Sequence, residues 1–119
     1  MSNAMSSGVR RRATAKLWAH ASVFAALGDE RRLSLVTNLC GGGPRSISQL
    51  TEGSNLTRQA ITKHLRVLER AGVMRSVRRG RESLFEVKLE PIREVRKYLD
   101  LVSAEWDQAL GRSKSFLED

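Results

Sequence analysis

Five polar residues recur along one short stretch of this 119-residue chain: Arg58, Gln59, Thr62, Lys63 and Arg66. On an α-helix these positions share one face, and Ile61, Leu65 and Leu68 share the opposite one. Arg can pair bidentately with guanine and Gln with adenine, so Arg58 and Gln59 are candidates for reading base edges. Thr57, Thr62, Lys63 and Arg66 are types suited to holding phosphates and setting register. By itself such a face is no more than any solvated helix surface presents.

A second cluster changes the balance. Arg75, Arg78, Arg79 and Arg81 place four positive charges on a short segment with only Glu82 close by in sequence. That concentration repels itself unless a polyanion lies opposite, as a loop resting on a nucleic-acid backbone or in a minor groove would. The whole chain agrees: 21 Lys and Arg against 13 Asp and Glu give +8, the balance expected of a protein whose partner is double-stranded nucleic acid.

Other chemistries find no support. Two isolated histidines, His20 and His64, and one cysteine, Cys40, form no nucleophile with its base and no metal triad. Gly41-Gly42-Gly43-Pro44 lacks the Gly-Lys-Ser/Thr that makes a phosphate loop. Cys40, between Leu39 and Gly41, has no activating charge beside it and reads as a small buried hydrophobe. His64 can lend a hydrogen bond to a DNA backbone or simply pack between helices, and His20 reads as structural. No apolar run approaches the roughly 20 residues that span a bilayer, and a lone cysteine cannot close an internal disulfide, which suits a reducing cytoplasm. Arg10-Arg11-Arg12 precedes an apolar stretch, but His20 interrupts it and no cleavage site follows.

The elements that must position these groups follow from periodicity and punctuation. Leu17, Ala21, Phe24 and Leu27 predict a helix over 13–27, closed by Gly28. Asp29 caps a second helix with Leu33, Val36 and Cys40 inward and Leu35 and Leu39 alongside, broken by the triple glycine. Ser46-Ile47-Ser48-Gln49 has the form of a capping box opening a short helix that ends near Gly53. Thr57 caps the next helix, with Leu56 and Ile61 as a hydrophobic staple and Gly72 as its left-handed stop. The two helices around Gly53-Ser54-Asn55 make a helix-turn-helix. Val73 to Arg78 and Ser83 to Val87 read as two strands joined at Arg79-Gly80-Arg81. From Pro91, at a helix N1 position, Ile92, Val95, Leu99, Val102, Trp106, Ala109, Ser113 and Phe116 form a coiled-coil-like seam.

FAALGDERRLSLVTNL followed by ISQLTEGSNLTRQAITKHLRVLERAGVMRSVRRGRESLFEV resembles the ArsR family of winged-helix repressors. The match runs from Phe24 to Val87, and its most specific part is Thr57 to Val73, with a polar cap, Lys-His-Leu, Val-Leu and Ala-Gly. The resemblance implies a mainly α fold with a small β-hairpin, a winged helix-turn-helix whose long first and last helices form a dimer interface. It also implies a homodimer that blocks a promoter with two recognition helices in successive major grooves. On that pattern the DNA-binding residues are Thr57, Arg58, Gln59, Thr62, Lys63, His64 and Arg66 of the recognition helix, Ser46, Ser48 and Gln49 of the preceding helix, and Arg75, Arg78, Arg79 and Arg81 of the wing. The dimer interface would use Leu17, Phe24, Val95, Leu99, Val102, Trp106, Ala109 and Phe116.

Metal-responsive members carry a cysteine pair in the first helix of the helix-turn-helix or Asp, His and Glu ligands in the last helix. Ser46 to Thr51 has no cysteine and the last helix no histidine; Asp100, Glu105 and Asp107 alone make a poor transition-metal site. No metal and no cofactor is therefore expected. The tail WDQALGRSKSFLED is similar to a metal-free branch of the family often encoded beside small START-like ligand-binding proteins. Residues 1–4 read as an expression-tag scar before a native start at Met5, 5–12 as a flexible basic arm, and 13–119 as one winged-helix DNA-binding and dimerisation domain. Two rival readings stand beside the DNA-binding repressor, which is expected to be neither an enzyme nor attached to a membrane. One is a protein-binding adaptor; the other is a repressor gated by a small-molecule effector wedged between the first and last helices near Trp18 and Trp106.

Overall fold

The computed structural model describes the backbone of residues 3–118 and the side chains of residues 11–112. The elements in order are α1 (Asn3–Leu27), α2 (Glu30–Gly42), β1 (Arg45–Ser46), α3 (Ile47–Glu52), α4 (Arg58–Arg70), β2 (Met74–Arg79), β3 (Glu82–Val87) and α5 (Leu89–Glu118). Each short helix starts where a side chain can satisfy the orphan N–H groups of a first turn. The Asp29 carboxylate accepts from the N–H groups of Arg31 and Arg32, at 2.8 and 3.2 Å. The Arg32 N–H, above all, holds that carboxyl below the usual carboxylate range. The cap is thus intact at neutral pH and is lost only as pH falls through that lowered value. Ser46 and Gln49 form the full capping box of α3, and the Thr57 hydroxyl accepts from the Ala60 N–H at 3.1 Å to open α4.

α4 ends in a Schellman turn. Gly72 takes a φ of 79°, its N–H bonds to the Glu69 carbonyl at 2.9 Å, and the Val73 N–H reaches back to Leu68 at 3.0 Å. The chain then enters β2 at once. β2 and β3 are antiparallel, in register from Met74 opposite Val87 to Arg79 opposite Glu82. Gly80 and Arg81 form a two-residue turn between them, with Gly80 at φ 62°.

The core gathers Val23 and Ala26 of α1, Leu35, Val36 and Leu39 of α2, Leu50 of α3, Ile61, Leu65 and Leu68 of α4, and Val73, Met74, Phe85 and Val95 beyond them. Winged helix-turn-helix architecture, mainly α with a small sheet, is what the sequence led us to expect. Several details differ. α1 begins at Asn3, not at Ala13, so its helix runs through Arg10-Arg11-Arg12. The hairpin is part of a three-stranded sheet in the order β1-β3-β2, because Arg45 and Ser46 pair with Phe85 and Leu84. Two residues carry no alternation to be read from a sequence, yet they cover backbone groups on the second edge of β3.

α2 buries Leu35, Val36 and Leu39, while Leu33 and Cys40 are exposed. The expectation of Leu33 and of a buried Cys40 on the inner face is therefore corrected. Pro91 is the third residue of α5, not its first, and remains in the turn whose N–H groups need no helical partner. Removing the Leu68 side chain, fully buried in α4, with Leu68→Ala is expected to cost about 2 to 5 kcal/mol in urea unfolding. Leu33→Ala should stay within about 0.5 kcal/mol of wild type; equal losses would contradict the observed face of α2.

Candidate nucleic-acid interface

α3 and α4 pack against each other across a turn held by the Ser54 N–H to the Thr51 carbonyl at 3.1 Å and the Leu56 N–H to the Ser54 hydroxyl at 3.0 Å. With Ile61, Leu65 and Leu68 inward, Arg58, Gln59, Lys63 and Arg66 stand exposed together with the half-buried Thr62 among them, while the half-buried His64 flanks the inward stripe on the side of α2. No acidic residue lies in the first turn of α4, so the positive end of the helix dipole adds to the cations there. Among the described residues, the ion pairs join Arg32 to Asp29, Arg75 to Glu86 and Lys97 to Glu94. None of them touches α4. Its exposed cations Arg58, Lys63 and Arg66 form no ion pair, and the one carboxylate of α4, Glu69, is half-buried in the last turn.

The structure also shows which candidate groups are already engaged. Ser46 Oγ accepts from the Gln49 N–H and Gln49 Oε1 from the Ser46 N–H, which leaves the Gln49 amide nitrogen and the Ser46 hydroxyl proton free to donate. Arg58 Nη1 lies 3.4 Å from Ser48 Oγ, tying the first helix of the pair to the first turn of the second. The Thr62 hydroxyl donates to the Arg58 carbonyl at 2.8 Å, so toward a phosphate it offers only its oxygen. One acceptor does not bind another, and Thr62 is better suited to shaping this surface than to gripping an anion.

The wing is less uniform than its sequence suggested. Arg75 lies directly opposite Glu86 in the sheet and is paired with it, a cross-strand neighbour that spacing along the chain does not reveal. Arg79 lies opposite Glu82, Arg78 opposite Ser83, and Arg81 sits in the turn. Among the described residues Arg78, Arg79 and Arg81 have no ion-pair partner, so the free charge is concentrated at the tip.

The dimerisation candidates divide. Val95, expected between subunits, is packed into the core of its own domain. Phe24 tilts against Tyr98 with ring centroids 6.3 Å apart, and His20 stacks on the same ring at 5.1 Å. Leu17, Leu99, Val102 and Trp106 are exposed. From Leu99 to Arg112 every residue except the half-buried Ala109 is exposed, so this length of α5 does not fold back on its own domain. Phe116 and Ser113 lie outside the described side chains. A crevice between α1, the end of α4 and the start of α5 has Ala19, Val23, Ala71 and Pro91 in its wall and Lys16, Arg70 and Glu94 around them; Trp18 and Trp106 are not part of it. No described helix is long and apolar enough to cross a membrane.

Arg32 and His64 are joined, although the sequence suggests no link between them: Arg32 Nη1 lies 3.4 Å from His64 Nδ1. Thirty-two positions of separation left no signal by which sequence periodicity could have found that contact.

A family model described as a helix-turn-helix domain matches residues 27–77. The HTH-type transcriptional regulator YuzN of Bacillus subtilis is 34% identical over 82 residues, which cover 64% of this chain and 89% of that protein. Among solved structures, an ArsR-like transcriptional regulator from Rhodococcus sp. RHA1 superposes with a TM-score of 0.77 at 37% identity, over 84% of this chain and 93% of that one. The homodimeric winged helix-turn-helix DNA-binding domain of a possible ArsR-family regulator from Mycobacterium bovis has the same fold, with a TM-score of 0.64 at 22% identity, over 79% and 86% of the two chains.

The division of the wing has a measurable consequence in duplex titrations. Arg78→Ala combined with Arg81→Ala should flatten the log-log salt dependence by about one unit per lost phosphate contact. Arg75→Ala, whose charge Glu86 already offsets, should change the slope less. If Arg75→Ala has the larger effect, the tip is not the part that meets the polyanion.

Proposed function

The chain belongs to the ArsR family of winged helix-turn-helix transcriptional regulators, and from that premise we propose that it is a homodimeric repressor that sets two α4 helices into successive major grooves of a palindromic operator. The observation that carries this reading is the exposed face of Arg58, Gln59, Lys63 and Arg66, whose cations make no ion pair among the described residues. Arg58 and Gln59 read bases from the first turn; Thr57, Lys63, His64 and Arg66 hold backbone, Thr62, whose proton is committed to the Arg58 carbonyl, shapes the surface between them, and Ser46, Ser48 and Gln49 support them from α3. Arg78, Arg79 and Arg81 lie along phosphates or in the minor groove, with Arg75 a lesser contributor.

Repression follows from occupancy of a promoter, in the cytoplasm where the DNA is. The regulator does not respond to metal: its α3 has no cysteine and its α5 no histidine, and soft or imidazole ligands are what zinc and arsenite demand. An apolar effector has room in the crevice between α1, α4 and α5, where it would press on the end of the reading helix; apolar compounds that release DNA in a gel shift would identify one.

Selecting sites from random duplexes with purified protein tests the reading directly. A palindromic site should emerge, bound about 10³-fold or more tighter than random duplex, with affinity unchanged by zinc or arsenite. Arg58→Ala should cost about 1 to 3 kcal/mol and relax base choice at one position per half-site. Unchanged base preference would remove Arg58 as a reader, and no duplex binding at low salt would favour the adaptor.

One recognition helix covers only a half-site, so a dimer must hold two of them about 34 to 36 Å apart. Leu17 of α1 and Leu99, Val102 and Trp106 of α5 supply exposed apolar surface for that interface. Leu99→Glu should give a folded monomer by light scattering, with weak, salt-sensitive half-site binding only, because symmetry would bury two facing carboxylates. A variant that keeps a dimer's mass and its affinity would move the interface elsewhere.

A further inference from the structure

The side chain of Arg32, at the start of α2, is only 17% exposed, and its guanidinium reaches three elements at once. Its Nε–H donates to the Ala26 carbonyl at 2.6 Å and Nη2 to the Ala25 carbonyl at 3.4 Å, in the last turn of α1, which has no basic residue of its own there. The Ala25 carbonyl also accepts the Gly28 N–H at 3.3 Å; a helix end leaves its last carbonyls short of partners, and a cation beside them also suits the negative end of the helix dipole. Nη1 lies 4.0 Å from the Asp29 carboxylate and 3.4 Å from Nδ1 of His64 in the middle of α4.

The last contact has only one polarity. Arginine has donors and no acceptor, so a hydrogen bond across this contact requires the lone pair of His64 on Nδ1 and the ring proton on Nε2. We propose that Arg32 is a positioning residue for DNA binding: it ties the end of α1 to α4 and holds His64 in the Nε2–H form that donates to a DNA phosphate. This rests on the reading of α4 as the DNA-facing helix. A single planar fork makes the link, and a lysine ammonium cannot span the α1 carbonyls and the ring together.

Long-range proton–nitrogen correlation on the ¹⁵N-labelled chain at pH 8, above the ordinary range of histidine titration, reads the tautomer without DNA. Wild type should show His64 protonated on Nε2, and Arg32→Gln a mixture of tautomers; a wild-type ring protonated on Nδ1 overturns the proposal. On the selected operator, Arg32→Gln should weaken binding about 10-fold or more, and Arg32→Lys should not restore it. In a double-mutant cycle, Arg32→Gln should cost little further once His64→Ala is present, since the two act through one contact. Wild-type affinity in Arg32→Gln, or losses that multiply, would refute the link. If Arg32→Gln loses helix content, Arg32→Lys, which keeps a donor for α1, takes its place in the cycle with the same expected coupling. A wild-type chain that binds no duplex would sink the functional reading and with it the phosphate contact, while the tautomer shifts decide separately whether Arg32 holds His64.

Discussion

The burial of one stripe on α4 is the constraint on which the rest of this molecule depends. Ile61, Leu65 and Leu68 are fully or almost fully buried, and α1, α2, α3 and β2 all pack against that helix. A stripe repeating at four and three residues fixes the rotation of a helix about its axis. The direction of Arg58, Gln59, Lys63 and Arg66 is therefore decided by hydrophobic packing, although none of those side chains takes part in it. A core this small cannot dispense with any of its layers, and the short helices α2 and α3, too short to be stable alone, are held by their caps and by what they cover.

Electrostatics runs the other way. Among the described residues three ion pairs form elsewhere on the domain: Asp29 with Arg32, Glu86 with Arg75, Glu94 with Lys97. On α4 and at the tip of the hairpin the charges are left open, which costs the isolated fold some self-repulsion and gives a surface that attracts a polyanion from a distance. Functional surfaces are where such local conflicts with stability are expected.

Features written in short windows were legible in the sequence. The caps at Asp29, Ser46 and Thr57 and the stop at Gly72 depend on residues three or four apart, and each is found as expected. What depends on distant partners was not. β1 exists only because β3 is beside it, and Arg75 is neutralised by a residue known only once the strand register is known. In α2 the apolar residues Leu33, Leu35, Val36, Leu39 and Cys40 are numerous enough to define two faces, and tertiary packing selected the one without Leu33 and Cys40. Along α5 a single apolar repeat serves two surroundings, since Ile92 and Val95 belong to the domain's own core and Leu99, Val102 and Trp106 are exposed. Periodicity reports that a face is apolar but not which surface will meet it. Of the candidate site, residue types and helix face were readable, whereas the Arg32–His64 contact was not.

The two-residue turn at Gly80 and Arg81 bears on how proteins of this shape can diversify. Both strands of the hairpin are committed to a register that places Leu84 and Phe85 in buried positions, and a single residue added within either strand would send every following side chain to the opposite face. The turn itself carries no such obligation. Lengthening it would extend the reach of the arginines without disturbing the core, as would changing which residues it displays. Selection on the residues of the hairpin tip can thus act almost independently of selection for folding, whereas α4, buried along one stripe, must change its exposed residues one at a time.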